Sequence, residues 1–365
     1  MKPDRQAISI IRRGASCVAL SVLLVASVGC ESIMGEWVAR TPNHGKSLAK
    51  VDRELPLALP DSVIDHQFRV EIEGDDPASL WVWVIDPSNE RFVGVERRED
   101  DPDYIRGLFE PNDDGPRVVR KPKATVLFLH GFYDSINQRW YLMWARMLAE
   151  HGYRAVLVDQ RGHGRSTGDW ATYGVRESRD MQRVLDVLDE KDLLVEPLGL
   201  WALSFGGSTA VQLAAIDDRV QAMLLISTFT SMRDIVPDYG RAIGFDFLSD
   251  EQFVKVIDHA GRHGGFDPDA ANPIDLLPKQ DIPTLIMHGE DDRLIPIEHA
   301  LRLYDAAGRD NVELIRIQRA GHTTLADTVV WPIYQPMLDW FDRYLVPTEG
   351  GATAQNRDET AVPTP

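Results

Sequence analysis

Three positions in this 365-residue chain carry the groups that acyl transfer needs, and each follows an apolar run within a few residues. Ser204 stands between "LGLWAL" and "FGGSTAVQLAAI". Asp291 and Asp292 follow "PTLIMHG", and His322 lies in "RAGHTTL", after "VELIRIQ". A serine hydroxyl is a poor nucleophile until a base takes its proton as it attacks. An imidazole can be that base, and a carboxylate can hold its tautomer and stabilise its charged form. Asp292 is the better acid, because the apolar "LIP" that follows returns the chain to the core and turns position 292 inward. Asp291 is read as facing water, and Asp234 is an outside alternative. His130, His163 and His288 sit at turns and are read as orienting loops. His44, His66, His151, His259, His263 and His299 have no catalytic context, and solvent exposure is expected for them.

The stretch "WALSFGGS" fits a sharp strand-to-helix turn, which exposes the serine oxygen and aims the helix amides at the reacting centre. Strand and helix then run close together, so the residues two before and two after the serine must be small. Gly206, followed by Gly207, meets that need, and Ala202 adds only a methyl. A tetrahedral intermediate also requires two preorganised donors. The amide of Phe205 supplies one, and the amide of Phe132 in "HGF" supplies the other. The two rings, with Tyr133, are expected to wall the acyl pocket.

These residues need a scaffold that brings distant segments to one edge. From Lys123 onward, apolar runs such as "ATVLFLHG", "YRAVLVDQRGHG" and "LGLWALS" alternate with helical patterns such as "WYLMWARMLAEHG" and "RESRDMQRVLDVLDEK". Continuous apolar runs are expected of strands covered on both faces, and the alternation predicts a mostly parallel sheet with helices on both sides. In such sheets ligands sit beyond the carboxyl ends of the strands, where Ser204, Asp292 and His322 all fall. Before this region, "HQFRVEIEG" and "SLWVWVIDP" alternate as two antiparallel strands do. An acidic loop without period is expected between Glu96 and Pro116. Residues 228–280 are far longer than a crossover needs and read as an inserted lid. The α/β domain is placed at 61–347, with a Gly/Thr/Pro-rich disordered tail at 348–365.

The chain has a formal charge of −18, which disfavours nucleic acid as a partner. Its amino terminus is basic, with Lys2, Arg5, Arg12 and Arg13 against Asp4, and is followed by an uncharged apolar stretch from Gly14 to Cys30. Residues 1–29 therefore read as a signal peptide, whose apolar segment of roughly 15 residues is shorter than the about 20 of a membrane span. The stretch ends in "ASVGC", which resembles a bacterial lipobox with Cys30 as the acylated residue, although Ser27 replaces the usual leucine. An uncleaved anchor and ordinary cleavage are the alternatives. Residues 30–60 then read as a tether, and the protein as exported to a bacterial cell envelope and held at the membrane by its lipid. With Cys17 removed and Cys30 acylated, no thiol remains for a zinc–thiolate site or a cysteine nucleophile.

The motifs "VLFLHGF", "VLVDQRGHGRSTG", "LSFGGS", "LIMHGEDDRLIP" and "AGHTTL", in this order, resemble the α/β-hydrolase superfamily, near its serine aminopeptidase-like and monoacylglycerol lipase-like members. The resemblance covers roughly residues 124–345. It implies the α/β-hydrolase fold, a triad of Ser204, Asp292 and His322, and no metal or organic cofactor. Ala202 departs from the usual elbow glycine, the lid is short, and residues before Lys123 match no part of the pattern. The expected activity is hydrolysis of a small-molecule carboxylic ester through an acyl-enzyme. A peptidase or thioesterase of the same fold, and a non-catalytic surface-binding lipoprotein, are the alternatives; the oligomeric state is open.

Overall fold

The computed structural model describes residues 30–54, 63–97, 105–111, 116–322 and 330–346. The expected signal peptide and carboxy-terminal tail lie outside the described residues. Ten strands are present among the described residues: β1 His66–Ile72, β2 Ala78–Ile85, β3 Glu90–Arg97, β4 Ile105–Pro111, β5 Ala124–Leu129, β6 Tyr153–Asp159, β7 Leu198–Leu203, β8 Val220–Ile226, β9 Thr284–Gly289 and β10 Val312–Ile317. Eight of them form one sheet in the order β1-β2-β6-β5-β7-β8-β9-β10. β1, β2 and β6 pair antiparallel, and every pair from β6 to β10 is parallel. The mostly parallel sheet with antiparallel amino-terminal strands is the architecture expected from the strand–helix alternation.

Why the central strands read as unbroken apolar runs is clear from their two faces. Every residue of β5, β6 and β7 is buried. Successive side chains point to opposite sides. Val126, Phe128 and Trp201 therefore enter one core, with helices α3 (Arg139–Glu150) and α10 (Val330–Leu345). Leu127, Leu129, Leu200 and Ala202 enter the other, with α4 (Glu177–Glu190), α5 (Phe205–Ala214) and α9 (Glu298–Ala307). Only the edge strands show exposed positions within their length.

The 228–280 insertion is helical. Its helices are α6 (Met232–Ala242) and α7 (Asp250–Gly264), followed by the single turn α8 (Pro273–Leu276). Ser231 caps α6, Ser249 and Gln252 form a reciprocal capping box on α7, and Gly265 ends α7 at φ 62°. Helix boundaries here follow from these caps.

Two expectations are corrected. The acidic loop between Glu96 and Pro116 contains β4, which pairs antiparallel with β3 as a separate ribbon. The ribbon is held by Phe92 against Phe109 and by the Arg146 guanidinium over the Phe109 ring. The pairing partner and the cover both come from elsewhere in the chain, so local composition concealed the strand.

Residues 30–60 are not a tether along their first part. Cys30–Ala39 form helix α1, and Leu48–Glu54 form α2. A Cβ on Gly35 would lie 2.4 Å from His259 Cβ and 2.7 Å from the Val256 carbonyl, so α1 lies directly on lid helix α7. Beyond the helix, Thr41 Oγ1 donates to the Gly168 carbonyl at 2.7 Å, and Asn43 Nδ2 donates to the Gly164 and Ser166 carbonyls at 2.8 Å. A Gly35→Leu substitution forces the helices apart. Overpacking of this kind costs about 1–3 kcal/mol, and the expected result is a lowered Tm with faster proteolysis between α1 and α7. An unchanged melt and cleavage pattern would show that α1 is not held on the lid.

Candidate active site

Ser204 leaves β7 at the centre of the sheet and enters α5 with φ 54° and ψ −114°. Such a conformation in a residue other than glycine costs about 1–3 kcal/mol and persists only where the surroundings impose it. The imposition is visible on both sides. The Ser204 amide donates to the Ile226 carbonyl at 2.7 Å, and the Gly207 amide donates to the Ser204 carbonyl at 2.9 Å. A Cβ on Gly206 would lie 2.2 Å from the Leu129 carbonyl oxygen, and one on Gly207 would lie 1.8 Å from Thr228 Oγ1. Both glycines therefore let α5 press against the ends of β5 and β8. Ala202 is different: its side chain is fully buried in the apolar cluster with Leu129 and Ala210. A methyl there is packing and not obstruction.

Asp292, after β9, and His322, after β10, meet across the loops. His322 Nδ1 donates to Asp292 Oδ2 at 2.8 Å, which leaves Nε2 as the basic nitrogen. Asp292 Oδ1 accepts the Leu294 amide at 3.0 Å and the Ile295 amide at 2.9 Å. Burial alone would push this carboxyl up. His322, His288 and the Ile295 amide more than offset it and hold Asp292 below the usual carboxylate range, so the group is anionic at neutral pH. His288 Nε2 donates to the Ile295 carbonyl at 2.8 Å and keeps the loop closed around the acid. Asp291 is exposed. Asp234 accepts from Thr230, Ser231 and Arg302, as part of the α6–α9 contact.

His130 and His163 are buried and held neutral, His130 at about 3 by burial and by His163, and His163 at about 4 by burial. His130 Nδ1 donates to the Gly131 carbonyl, and its Nε2 accepts the Gln160 amide at 2.9 Å. Gln160 donates back to the His130 carbonyl and accepts from Thr209 of α5. Asp159 accepts the amides of Ile136 and Arg165, both at 2.8 Å. The turns after β5 and β6 are thereby locked to each other and to the elbow helix. His299 is buried and not exposed as expected: its Nδ1 accepts the Thr230 amide at 3.2 Å, and its Nε2 donates to Asp238 at 3.1 Å. Its partners lie in the lid segment, and position 299 alone carries no sign of them.

The turn after β5 brings Gly131 and Phe132 beside the elbow. A Cβ on Gly131 would stand 3.6 Å from Ser204 Cβ, and the Phe132 and Phe205 rings meet edge to face at 5.2 Å. Among the described residues, neither the Phe132 nor the Phe205 amide donates to a protein acceptor. Around them, Tyr173 lies 6.1 Å from Phe132 and 6.2 Å from Phe229, while Tyr133 remains exposed at the rim. Tyr173 Oη donates to the Val38 carbonyl, so α1 backs this aromatic wall. Asp134 also borders the site. Its only signal in the sequence is its place in "HGFYDS". Cys30 stands at the start of α1, and nothing is described of its side chain.

The chain matches the α/β hydrolase fold family over residues 124–247. It is 28% identical to the uncharacterized protein YfhR of Escherichia coli K12 over 231 residues, which cover 62% of this chain and 72% of that protein. It is 22% identical to lysophosphatidylserine lipase ABHD12 of Danio rerio over 260 residues, 68% of this chain and 61% of the other. In three dimensions it is similar to an esterase of Pyrococcus furiosus, with a TM-score of 0.54 at 19% identity, covering 77% of this chain and 92% of that one. An acylaminoacyl peptidase of Pyrococcus horikoshii gives the same TM-score at 16% identity, over 80% of this chain and 44% of its own. With the parallel sheet, the strained elbow at Ser204 and these similarities together, the chain has the α/β-hydrolase fold.

Proposed function

We propose that the protein is a serine hydrolase that cleaves carboxylic esters, anchored by lipid at the membrane of a bacterial cell envelope. The observation that carries the reading is the Asp292–His322 hydrogen bond at the same sheet edge as a serine held at positive φ. His322 Nε2 takes the proton from Ser204 Oγ as the oxygen attacks the ester carbonyl. The amides of Phe132 and Phe205 receive the oxyanion. The imidazolium, steadied by Asp292, gives its proton to the departing alcohol. Water then attacks the acyl-enzyme with the same imidazole as base, and the carboxylic acid leaves. The aromatic wall of Phe132, Tyr173, Phe205 and Phe229 suits an apolar acyl group. The relative named as a lysophosphatidylserine lipase favours an ester over an amide bond.

The amino-terminal half of the proposal joins this chemistry to the membrane. Acylation of Cys30 leaves no slack between lipid and enzyme, because the residue opens α1 and α1 lies on the lid. One experiment reads both halves. A fluorophosphonate probe applied to fractionated cells that make the full chain is expected to label the protein in the membrane fraction, with the adduct on Ser204 by mass spectrometry. Cys30→Ser is expected to move the labelled protein out of that fraction. Folded protein that takes no label ends the hydrolase reading. Label that stays with the membrane in Cys30→Ser ends the anchoring one.

A further inference from the structure

The turn that carries the Phe132 amide is closed by three hydrogen bonds. The Gly131 amide donates to Tyr141 Oη at 3.0 Å, Tyr141 Oη donates to Asp134 Oδ2 at 3.0 Å, and the Asp134 amide donates back to the Gly131 carbonyl at 3.2 Å. Phe132 and Tyr133 lie inside this ring, with Tyr133 at φ 66°. Tyr141 is fully buried on α3, so the ring is fixed from outside the turn. Asp134 Oδ1 accepts from Gln138 Nε2 at 3.2 Å, one helical turn before the tyrosine.

The same carboxylate lies close to the serine. The position of a Gly131 Cβ would be 2.9 Å from Asp134 Oδ2 and 3.6 Å from Ser204 Cβ, so the acid and the serine both border the same glycine. Asp134 is only half-buried, and protonation of His322 would favour its carboxylate form. Neither the elbow nor the Asp292–His322 pair needs a second carboxylate there.

We propose that Asp134 is a positioning residue of the reaction centre, setting the Phe132 amide through Tyr141 and favouring the cationic form of His322 through its own charge. This rests on the serine hydrolase reading above. The first arm follows from hydroxyl chemistry. Tyr141 has one proton to give, and Asp134 takes it, so a phenolic lone pair is left facing the Gly131 amide. Without that acceptor a buried amide is unpaired and the turn relaxes. An error of about 1 Å in a donor or reacting atom is enough to cost on the order of 100-fold in rate. The second arm is Coulombic: a carboxylate beside an imidazole favours its protonated form. Burial pushes Asp134 itself up to about 6, opposed by Tyr141, His322 and Gly131. The groups that act on it are Tyr141 of α3, Gln138 just before that helix and His322 from the loop after β10, with Asp159 of β6 acting on Tyr141. His322 in turn faces Asp292 and His288.

The test is steady-state kinetics on a soluble short-chain p-nitrophenyl ester, across the acid limb of kcat/KM, with the full chain. Tyr141→Phe is expected to lower kcat by about 10- to 100-fold with KM nearly unchanged. Asp134→Asn keeps the shape and removes the charge, and its acid limb is expected to move to lower pH by about one unit. Asp134→Glu is expected to restore the limb. A role confined to stability would change Tm and leave the limb in place. If the wild type turns over and both the limb of Asp134→Asn and the kcat of Tyr141→Phe are unmoved in folded protein, the assignment of Asp134 is overturned. A wild type without turnover overturns the hydrolase reading first, and this assignment with it.

Discussion

Ser204→Ala is expected to lower kcat for ester hydrolysis by about 10⁵- to 10⁶-fold while the protein keeps its fold. On the proposed mechanism the size of the loss, about 7–8 kcal/mol in activation free energy, reflects the removal of the atom that forms the acyl bond. Water acting without a covalent intermediate would account for what remains, helped by the same amides. The structure also says why stability should survive. The Ser204 side chain makes no capping hydrogen bond to α5, and alanine meets the positive φ with strain close to that of serine. Gly206 and Gly207, which fit the helix against β5 and β8, are untouched. A melt within a few degrees of the wild type, KM close to the original and loss of fluorophosphonate labelling are the joint signature. A variant that retains a tenth of the original turnover would remove Ser204 from the chemistry.

How much of this was legible in the residues differs from one part to another. The parallel sheet was readable because burial on both faces demands unbroken apolar runs, and β5, β6 and β7 consist of little else. Ser204 and its glycines were readable because a tight crossing permits only small side chains at fixed offsets. Asp292 was separable from Asp291 by the apolar residues that follow it, since these turn the loop inward and supply the two amides its Oδ1 accepts. What escaped depends on partners remote in the chain. Helix α1 has a weak apolar stripe, and its place on the lid comes from Gly35 meeting α7 more than 200 residues later. Strand β4 pairs with its neighbour β3, but the Arg146 guanidinium that covers it comes from α3. Burial of His299 depends on Thr230 and Asp238. Asp134 resembles any turn aspartate until Tyr141 folds over it. Local pattern reports periodicity and steric allowance; it does not report which distant surface will arrive.

Asp292→Asn is expected to leave the fold in place and lower kcat by about 10⁴-fold. The amide oxygen of asparagine can still accept the Leu294 and Ile295 amides, which the carboxylate accepts at 3.0 and 2.9 Å, so the loop keeps its closure. The other end of the side chain then presents N–H where the carboxylate accepted from His322 Nδ1 at 2.8 Å. Two donors cannot face each other. The imidazole responds by placing its proton on Nε2, and the nitrogen that should take the serine proton is occupied. The negative charge that steadied the imidazolium is lost in the same step. Nitrogen chemical shifts of His322 are expected to report a protonated Nδ1 in the wild type and a protonated Nε2 in the variant at neutral pH. Asp292→Ala provides the contrast, because it leaves the Leu294 and Ile295 amides without their acceptor, at about 1–3 kcal/mol for each buried group; it should lose stability as well as rate. The asparagine variant separates the two effects. If it turns over at near wild-type rate with the tautomer unchanged, Asp292 serves the loop and not the base, and the acid that orients His322 must be sought elsewhere at this edge of the sheet.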